Sequence, residues 1–281
     1  MAHSYSELPN TLVSAANGVN YAYRDSGGAG GAAPLVLLQH FRGNLDSWDP
    51  ALVDALARSR RVITVDYAGV GGSSGTTADT FEQTARDTIA FVAALGLAQV
   101  DLLGFSIGSF IAQEIALRRP ALVRRLVLAS SAPQGAAGMH GWAPAVIGAV
   151  GTPQTSPAEY LSVFFAASDA SQQAGKEALG RMYARKDDRD TATNWATREA
   201  QYDAVCAWGI PDHAALERVS AIEMPVFVAN GDNDPMILPR YSYLLAGLIP
   251  QARLKIYPDA AHGFLFQHHA EFAADVTEFL G

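Results

Sequence analysis

Only one cysteine, Cys206, occurs among the 281 residues. A lone thiol cannot close an internal disulfide and is too few for a cysteine-based metal site, so it reads as a packed or idle side chain. Positive charge is also scarce: 20 Lys and Arg stand against 28 Asp and Glu, for a formal net charge of −8. With no basic run to offset that balance, a nucleic-acid partner is disfavoured. No apolar stretch is long enough to cross a bilayer, and the opening Met-Ala-His-Ser-Tyr-Ser-Glu-Leu-Pro-Asn lacks the basic-then-apolar pattern of a signal peptide. These absences predict a cytoplasmic protein without a membrane partner. What is present is ordinary for a globular chain, 49% hydrophobic and 17% charged residues, and the length suffices for one large α/β domain or two smaller ones.

Apolar runs of β type alternate with longer helical patterns. Asn17-Gly18 suits a tight hairpin near the start. Buried strands are expected at Leu35–Leu38, Arg61–Asp66, Val100–Phe105, Arg125–Ala129, Pro225–Ala229 and Arg253–Tyr257, with helices at Ser47–Ala57, Asp79–Leu95, Ile107–Arg118, Pro239–Leu248 and Ala270–Leu280. This alternation predicts an α/β fold with a mostly parallel sheet flanked by helices, since parallel strands need crossover helices. From Ala136 to about Pro211 no strand pattern occurs. Ser156-Pro157-Ala158-Glu159 starts a helix there as a capping box with proline at the first position, and further helices are expected over Gln172–Ala184 and Asn194–Trp208. The expected organisation is a core of 1–135 and 212–281 with a helical cap, 136–211, inserted between late strands.

The strand Val100–Phe105 runs into Gly104-Phe105-Ser106-Ile107-Gly108 and then a helix. The G-x-S-x-G pattern alone is weak; between a strand and a helix it matches a nucleophile elbow, with Ser106 at the helix N-terminus. A serine hydroxyl needs a base and an orienting carboxylate. Asp232 and Asp234 follow one late strand and His262 follows the next, so both fall at strand carboxyl ends, where open α/β sheets build their sites.

With those residues in place, the chain resembles the α/β-hydrolase fold, in the branch of capped esterases, haloperoxidases and C–C hydrolases. The family pattern G-x-x-D falls on Gly231-Asp232-Asn233-Asp234 and implies Asp234 as the triad acid, with Asp232 bonding to loop backbone. The histidine motif falls on Ala261-His262-Gly263 and implies His262 as the base. The alternative acid position after the preceding strand reads Ala129-Ser130-Ser131-Ala132, without a carboxylate. A serine nucleophile also argues against epoxide hydrolases and haloalkane dehalogenases, which use aspartate. The resemblance implies a cofactor-free serine hydrolase for a carboxylic ester or lactone of a small molecule. It leaves two alternatives: C–C hydrolysis, perhydrolysis or lyase chemistry on the same triad, and a receptor-like member with slow turnover. Gly108-Ser109 departs from the G-x-S-x-G-G of many C–C hydrolases.

For the oxyanion hole, one donor is the N–H of Ile107. The family's His-Gly-x loop corresponds to His40-Phe41-Arg42, which implies Arg42 N–H as the second donor and Phe41 N–H as the fallback, with His40 bracing the loop. The Arg42 side chain is expected to pair with Asp46 or Asp49, or to turn inward toward an anionic substrate. The segment from Asp66 to Gly75 lacks a P-loop lysine and reads as a structural turn. His40, Trp142, Phe165 and Trp208 are expected around an apolar substrate pocket, although aromatic stripes at helical spacing more often pack a core. A small-molecule substrate is the expected partner; oligomeric state is left open, a homo-oligomer included.

Overall fold

The computed structural model describes residues 4–28 and 32–281; residues 1–3 and 29–31, within the expected core segment 1–135, lie outside the described residues. Its strands are β1 (Thr11–Ser14), β2 (Asn20–Asp25), β3 (Leu35–Leu38), β4 (Val62–Val65), β5 (Val100–Phe105), β6 (Val123–Ala129), β7 (Val226–Gly231) and β8 (Ala252–Tyr257). They form one sheet in the order β1-β2-β4-β3-β5-β6-β7-β8. The hairpin β1–β2 turns through Gly18, at φ 82, where a side chain would be strained. β2 pairs antiparallel with β4, and the remaining neighbours pair in parallel. The central strands β3, β4 and β5 are buried along their whole length, which is why they read as unbroken apolar runs. The exception inside β5, Asp101, is held by Arg60 at 3.2 Å and Arg124 at 2.6 Å.

Between strands lie α1 (Pro50–Ala57), α2 (Phe81–Ala94) and α3 (Ile107–Arg118), then α4 (Pro144–Val150), α5 (Pro157–Phe164), α6 (Asp169–Met182), α7 (Trp195–Trp208) and α8 (His213–Glu217), and finally α9 (Pro239–Leu248), α10 (Phe264–Gln267) and α11 (His269–Leu280). α1 packs on α11 and α2 on α3, flanking the sheet. The expected mostly parallel α/β architecture with helices inserted between late strands is therefore what forms. Helices α4 to α8 all fall between β6 and β7; α4 to α7 lie within the inserted helical segment, the cap, and α8 follows it. α5 starts at Pro157 with its capping box complete, Ser156 Oγ accepting from Glu159 N and Glu159 returning the bond to Ser156 N at 2.7 Å. Short α4, α8 and α10 were not expected from the sequence; each spans two turns or fewer, too short for periodicity to register.

The cap is fastened to the core by charge. Arg181 on α6 grips Asp49 through Nε at 2.8 Å and Nη2 at 2.6 Å, a bidentate pair on the residue that caps α1. Asp190, between α6 and α7, meets Asp66 at the end of β4, and Leu45 N–H donates to both carboxyls, at 3.0 Å to Asp66 and 3.1 Å to Asp190. Burial first, and the neighbouring Asp190 second, hold the Asp66 carboxyl well above the usual carboxylate range. Asp66 begins the glycine-rich turn, where Ser73 Oγ donates to Asp66 O at 2.8 Å and accepts from Ala22 N.

Candidate active site

Ser106 sits where β5 gives way to α3, at φ 57 and ψ −125. A non-glycine residue there costs about 1–3 kcal/mol and persists only where its surroundings over-determine it. Two glycines do so. A Cβ on Gly104 would come within 2.3 Å of Gly108 O, and one on Gly108 within 2.1 Å of Leu38 O, so strand, turn and helix close to distances that only glycine permits. Below the turn, Ser109 Oγ donates to Ser131 Oγ at 2.7 Å and Gln113 Nε2 donates to the same oxygen at 3.0 Å. This buried polar bracket holds the first turn of α3.

His262, after β8, and Asp234, after β7, meet with His262 Nδ1 2.8 Å from Asp234 Oδ2. The other carboxylate oxygen accepts from Met236 N at 2.8 Å and Ile237 N at 2.9 Å, which fixes its plane. A carboxylate only accepts, so Nδ1 carries the proton and Nε2 presents a lone pair. The imidazole packs against Phe105 and Phe164, at centroid distances of 5.1 and 5.2 Å. Its backbone is joined to the cap at the end of α5: Gly263 N donates to Phe164 O at 2.7 Å and His262 N to Val163 O at 3.4 Å. Ser130, at φ 48, donates to Asn230 Oδ1 at 2.9 Å and His262 O at 3.1 Å. Asp232, the neighbouring carboxylate, accepts from the N–H groups of Asp259 and Ala260, each at 3.1 Å, and stays in the loop as expected.

Ser106 Oγ and His262 Nε2 are both buried without a hydrogen-bond partner among the described residues. Both residues line a cavity of about 610 Å³ between core and cap, a size suited to a small organic molecule. Phe164, Leu179, Met182 and Met236 supply apolar wall; Asn44, Asp46, Arg189 and Asp190 supply a polar part. Among the described residues, no group of three or more His, Cys, Asp or Glu side chains is placed to hold a metal ion, and no helix is long and apolar enough to cross a membrane.

The loop after β3 departs from expectation. Arg42 N–H donates to Gln201 Oε1 on α7 at 2.7 Å, so it is not free for a substrate oxygen. Phe41 N–H and Ile107 N–H make no hydrogen bond within the described residues. Of the two N–H groups expected as donors in this loop, only that of Phe41 is without a partner among the described residues. The Arg42 side chain pairs neither with Asp46, which Arg24 binds at 2.6 Å, nor with Asp49, which Arg181 binds. It reaches the cap instead, donating to Thr152 O at 2.6 Å, Pro153 O at 2.9 Å and Val150 O at 3.3 Å. Those carbonyls lie at the end of α4 and just beyond it and need donors, which a planar guanidinium supplies.

Of the expected pocket residues, His40 lines the cavity; Trp142, Phe165 and Trp208 do not. Trp208 stacks on Phe110 of α3 at 5.0 Å and donates to Ala132 O, placing it in the core. Trp142 packs edge-on to Phe41 at 4.9 Å and shields that loop. Phe165 is buried against Gly175 of α6, whose added Cβ would strike the ring at 2.6 Å. Tyr160, not among the residues expected there, does line the cavity, stacked on Phe164 at 3.9 Å. Its signal was the i, i+4 aromatic pair that it forms with Phe164 in the helix after the capping box.

The sequence profile of the alpha/beta hydrolase fold matches residues 33–269. An alpha/beta hydrolase fold protein from Chitinophaga pinensis has a similar structure, with a TM-score of 0.92 and 37% identity over 99% of each chain. By sequence, a non-heme haloperoxidase from Rhodococcus erythropolis is 26% identical over 96% of this chain and 98% of its own. A pimeloyl-[acyl-carrier protein] methyl ester esterase from Aliivibrio salmonicida is 27% identical over 89% of this chain and 93% of its own. On sequence profile and structure alike, the chain belongs to the alpha/beta hydrolase fold family.

Proposed function

We propose that this protein is a cofactor-free serine hydrolase that cleaves a carboxylic ester or lactone of a small, largely apolar molecule. The observation that carries the reading is one cavity lined by Ser106 and His262, whose Oγ and Nε2 have no partner among the described residues, with His262 fixed by Asp234 at 2.8 Å. His262 takes the Ser106 proton as Oγ attacks the carbonyl carbon, and Asp234 stabilises the imidazolium that forms. Ile107 N–H and Phe41 N–H receive the oxyanion; each such donor is worth about 10²–10³ in rate. The alkoxide leaves with the proton from His262, and water, deprotonated by the same imidazole, releases the acid. Residues 136–211 serve as the lid and 1–135 with 212–281 as the catalytic core.

Similarity to a haloperoxidase over nearly the full chain favours a second use of the same acyl-enzyme, with hydrogen peroxide in place of water and a peracid as product. The test is labelling with a fluorophosphonate and turnover of an aryl ester panel with and without peroxide. Wild type is expected to label at Ser106 and turn over. Ser106→Ala should lose labelling and at least about 10⁴-fold in kcat. Equal, negligible activity in both would refute the hydrolase reading.

A further inference from the structure

A buried nitrogen with no hydrogen-bond partner calls for an explanation, because leaving it unpaired is costly. His40 holds one. Its Nδ1 lies 2.8 Å from Phe41 O. A carbonyl only accepts, so Nδ1 bears the proton and Nε2 offers a bare lone pair. That Nε2 is buried and receives no bond from the described residues, and the residue is only 6% exposed. The ring cannot swing aside: Phe105 and Phe164 hold it edge-on at 5.3 and 5.2 Å, and both rings also hold His262. His40 lines the same cavity as Ser106 and His262. On the cap side of that cavity the Tyr160 hydroxyl is likewise buried and unpartnered. The two histidines nonetheless differ in kind. Asp234 stabilises positive charge on His262, whereas His40 has a neutral carbonyl and aromatic walls. Burial, with His262 as a smaller contributor, pushes the His40 pKa down to about 3, so it stays a neutral acceptor.

We propose that His40 Nε2 is a substrate-binding acceptor that selects molecules carrying an O–H or N–H donor close to the carbonyl under attack. The proposal rests on the ester-hydrolase reading and sharpens it: an otherwise apolar substrate should bear a neighbouring hydroxyl or amide. An analogue without the donor leaves the lone pair buried and unpaired, which is how a polar site rejects a deoxy substrate.

The test compares matched pairs: aryl 2- and 3-hydroxybutanoates against aryl butanoate, and a 2-hydroxyethyl ester against its ethyl counterpart. Wild type should favour the hydroxylated member of at least one pair by about ten-fold in kcat/KM, the worth of one buried neutral hydrogen bond. His40→Phe, which keeps the ring packing, should erase that preference, and His40→Gln, whose amide oxygen extends to a similar reach, should restore part of it. No preference in any pair, or one that survives in His40→Phe, overturns the proposal. Thermal melts establish that the variants fold. Should His40→Phe fail to fold, ¹⁵N NMR of the wild type decides instead: the His40 Nε2 resonance should move when the hydroxybutanoic acids bind but not with butanoic acid. An identical response to both overturns the proposal. That readout needs no turnover, so it separates failure of this proposal from failure of the hydrolase reading, which the fluorophosphonate experiment reports.

Discussion

Two turns leave the sheet beside the cavity, each with a non-glycine residue at positive φ, and they are held in opposite ways. After β5, Ser106 at φ 57 is fixed by backbone closeness, with Gly104 and Gly108 pressed against neighbouring main chain. After β3, Arg42 at φ 60 is fixed by side chains that come from far along the sequence. Gln201 takes its N–H, Thr193 Oγ donates to its carbonyl at 2.6 Å, and its guanidinium spans the loop after α4. Asn44 adds a bond to Thr191 O at 2.9 Å. The Ser106 turn is thus built by the core alone, whereas the turn carrying Phe41 N–H is completed by the cap. A backbone-packed turn tolerates no added volume; a side-chain-tethered one tolerates volume but loses its shape when a tether is cut.

The largest expected effect strikes the first turn. Gly108→Ala puts a methyl group against Leu38 O and should lower stability by about 3 kcal/mol or more, read by urea denaturation. A near-neutral value would mean that the elbow has slack, and the contrast would collapse. Cutting the second turn should spare the fold and strike the rate. Arg42→Ala is expected to lower kcat on an aryl ester about 10- to 100-fold, through a displaced Phe41 N–H, with a smaller change in KM. Arg42→Lys should recover little, because one ammonium cannot span three carbonyls. A loss seen only in KM would instead assign Arg42 to the lid alone.

The smallest effect concerns acid. An unfolded His40 takes up a proton below about pH 6.5, while in the fold burial delays this to about pH 3. The unfolded state then binds more protons, so stability falls as pH drops through that window, by about 1.4 kcal/mol per pH unit. Between pH 6.5 and 5 the wild type should therefore lose about 2 kcal/mol more than His40→Phe does. Parallel urea titrations at the two pH values measure it, and equal losses would remove the acid sensitivity assigned to this turn.

The same contrast explains what the sequence made legible. The elbow could be read because its determinants are local: an apolar run, two glycines flanking the serine, then a helix. β3, β5, α3 and α9 have the bounds expected of them for that reason. The juxtaposition of His262 with a carboxylate could be expected from positions after late strands, whereas Asp234 rather than Asp232 came from the family motif; the structure places Asp234 against His262. The loop after β3 was not, because Gln201 lies 159 residues from Arg42 in sequence and nothing in either neighbourhood announces the pairing. Trp208 misled for a related reason, since helical spacing cannot tell a cap helix's cavity face from the face that stacks on α3. Ser130 and Asn230 support the His262 loop through bonds spanning 132 and 100 residues, and neither carries a local pattern.

The join between cap and core has a mechanical consequence. The cap is joined to the core near the cavity at several points, among them the His262 loop, through Phe164 O and Gly263 N, and Arg42. The turn that carries Phe41 N–H therefore keeps its shape only while the loop after α4, Thr193 and Gln201 stay in contact with it, so its geometry depends on residues more than a hundred positions away.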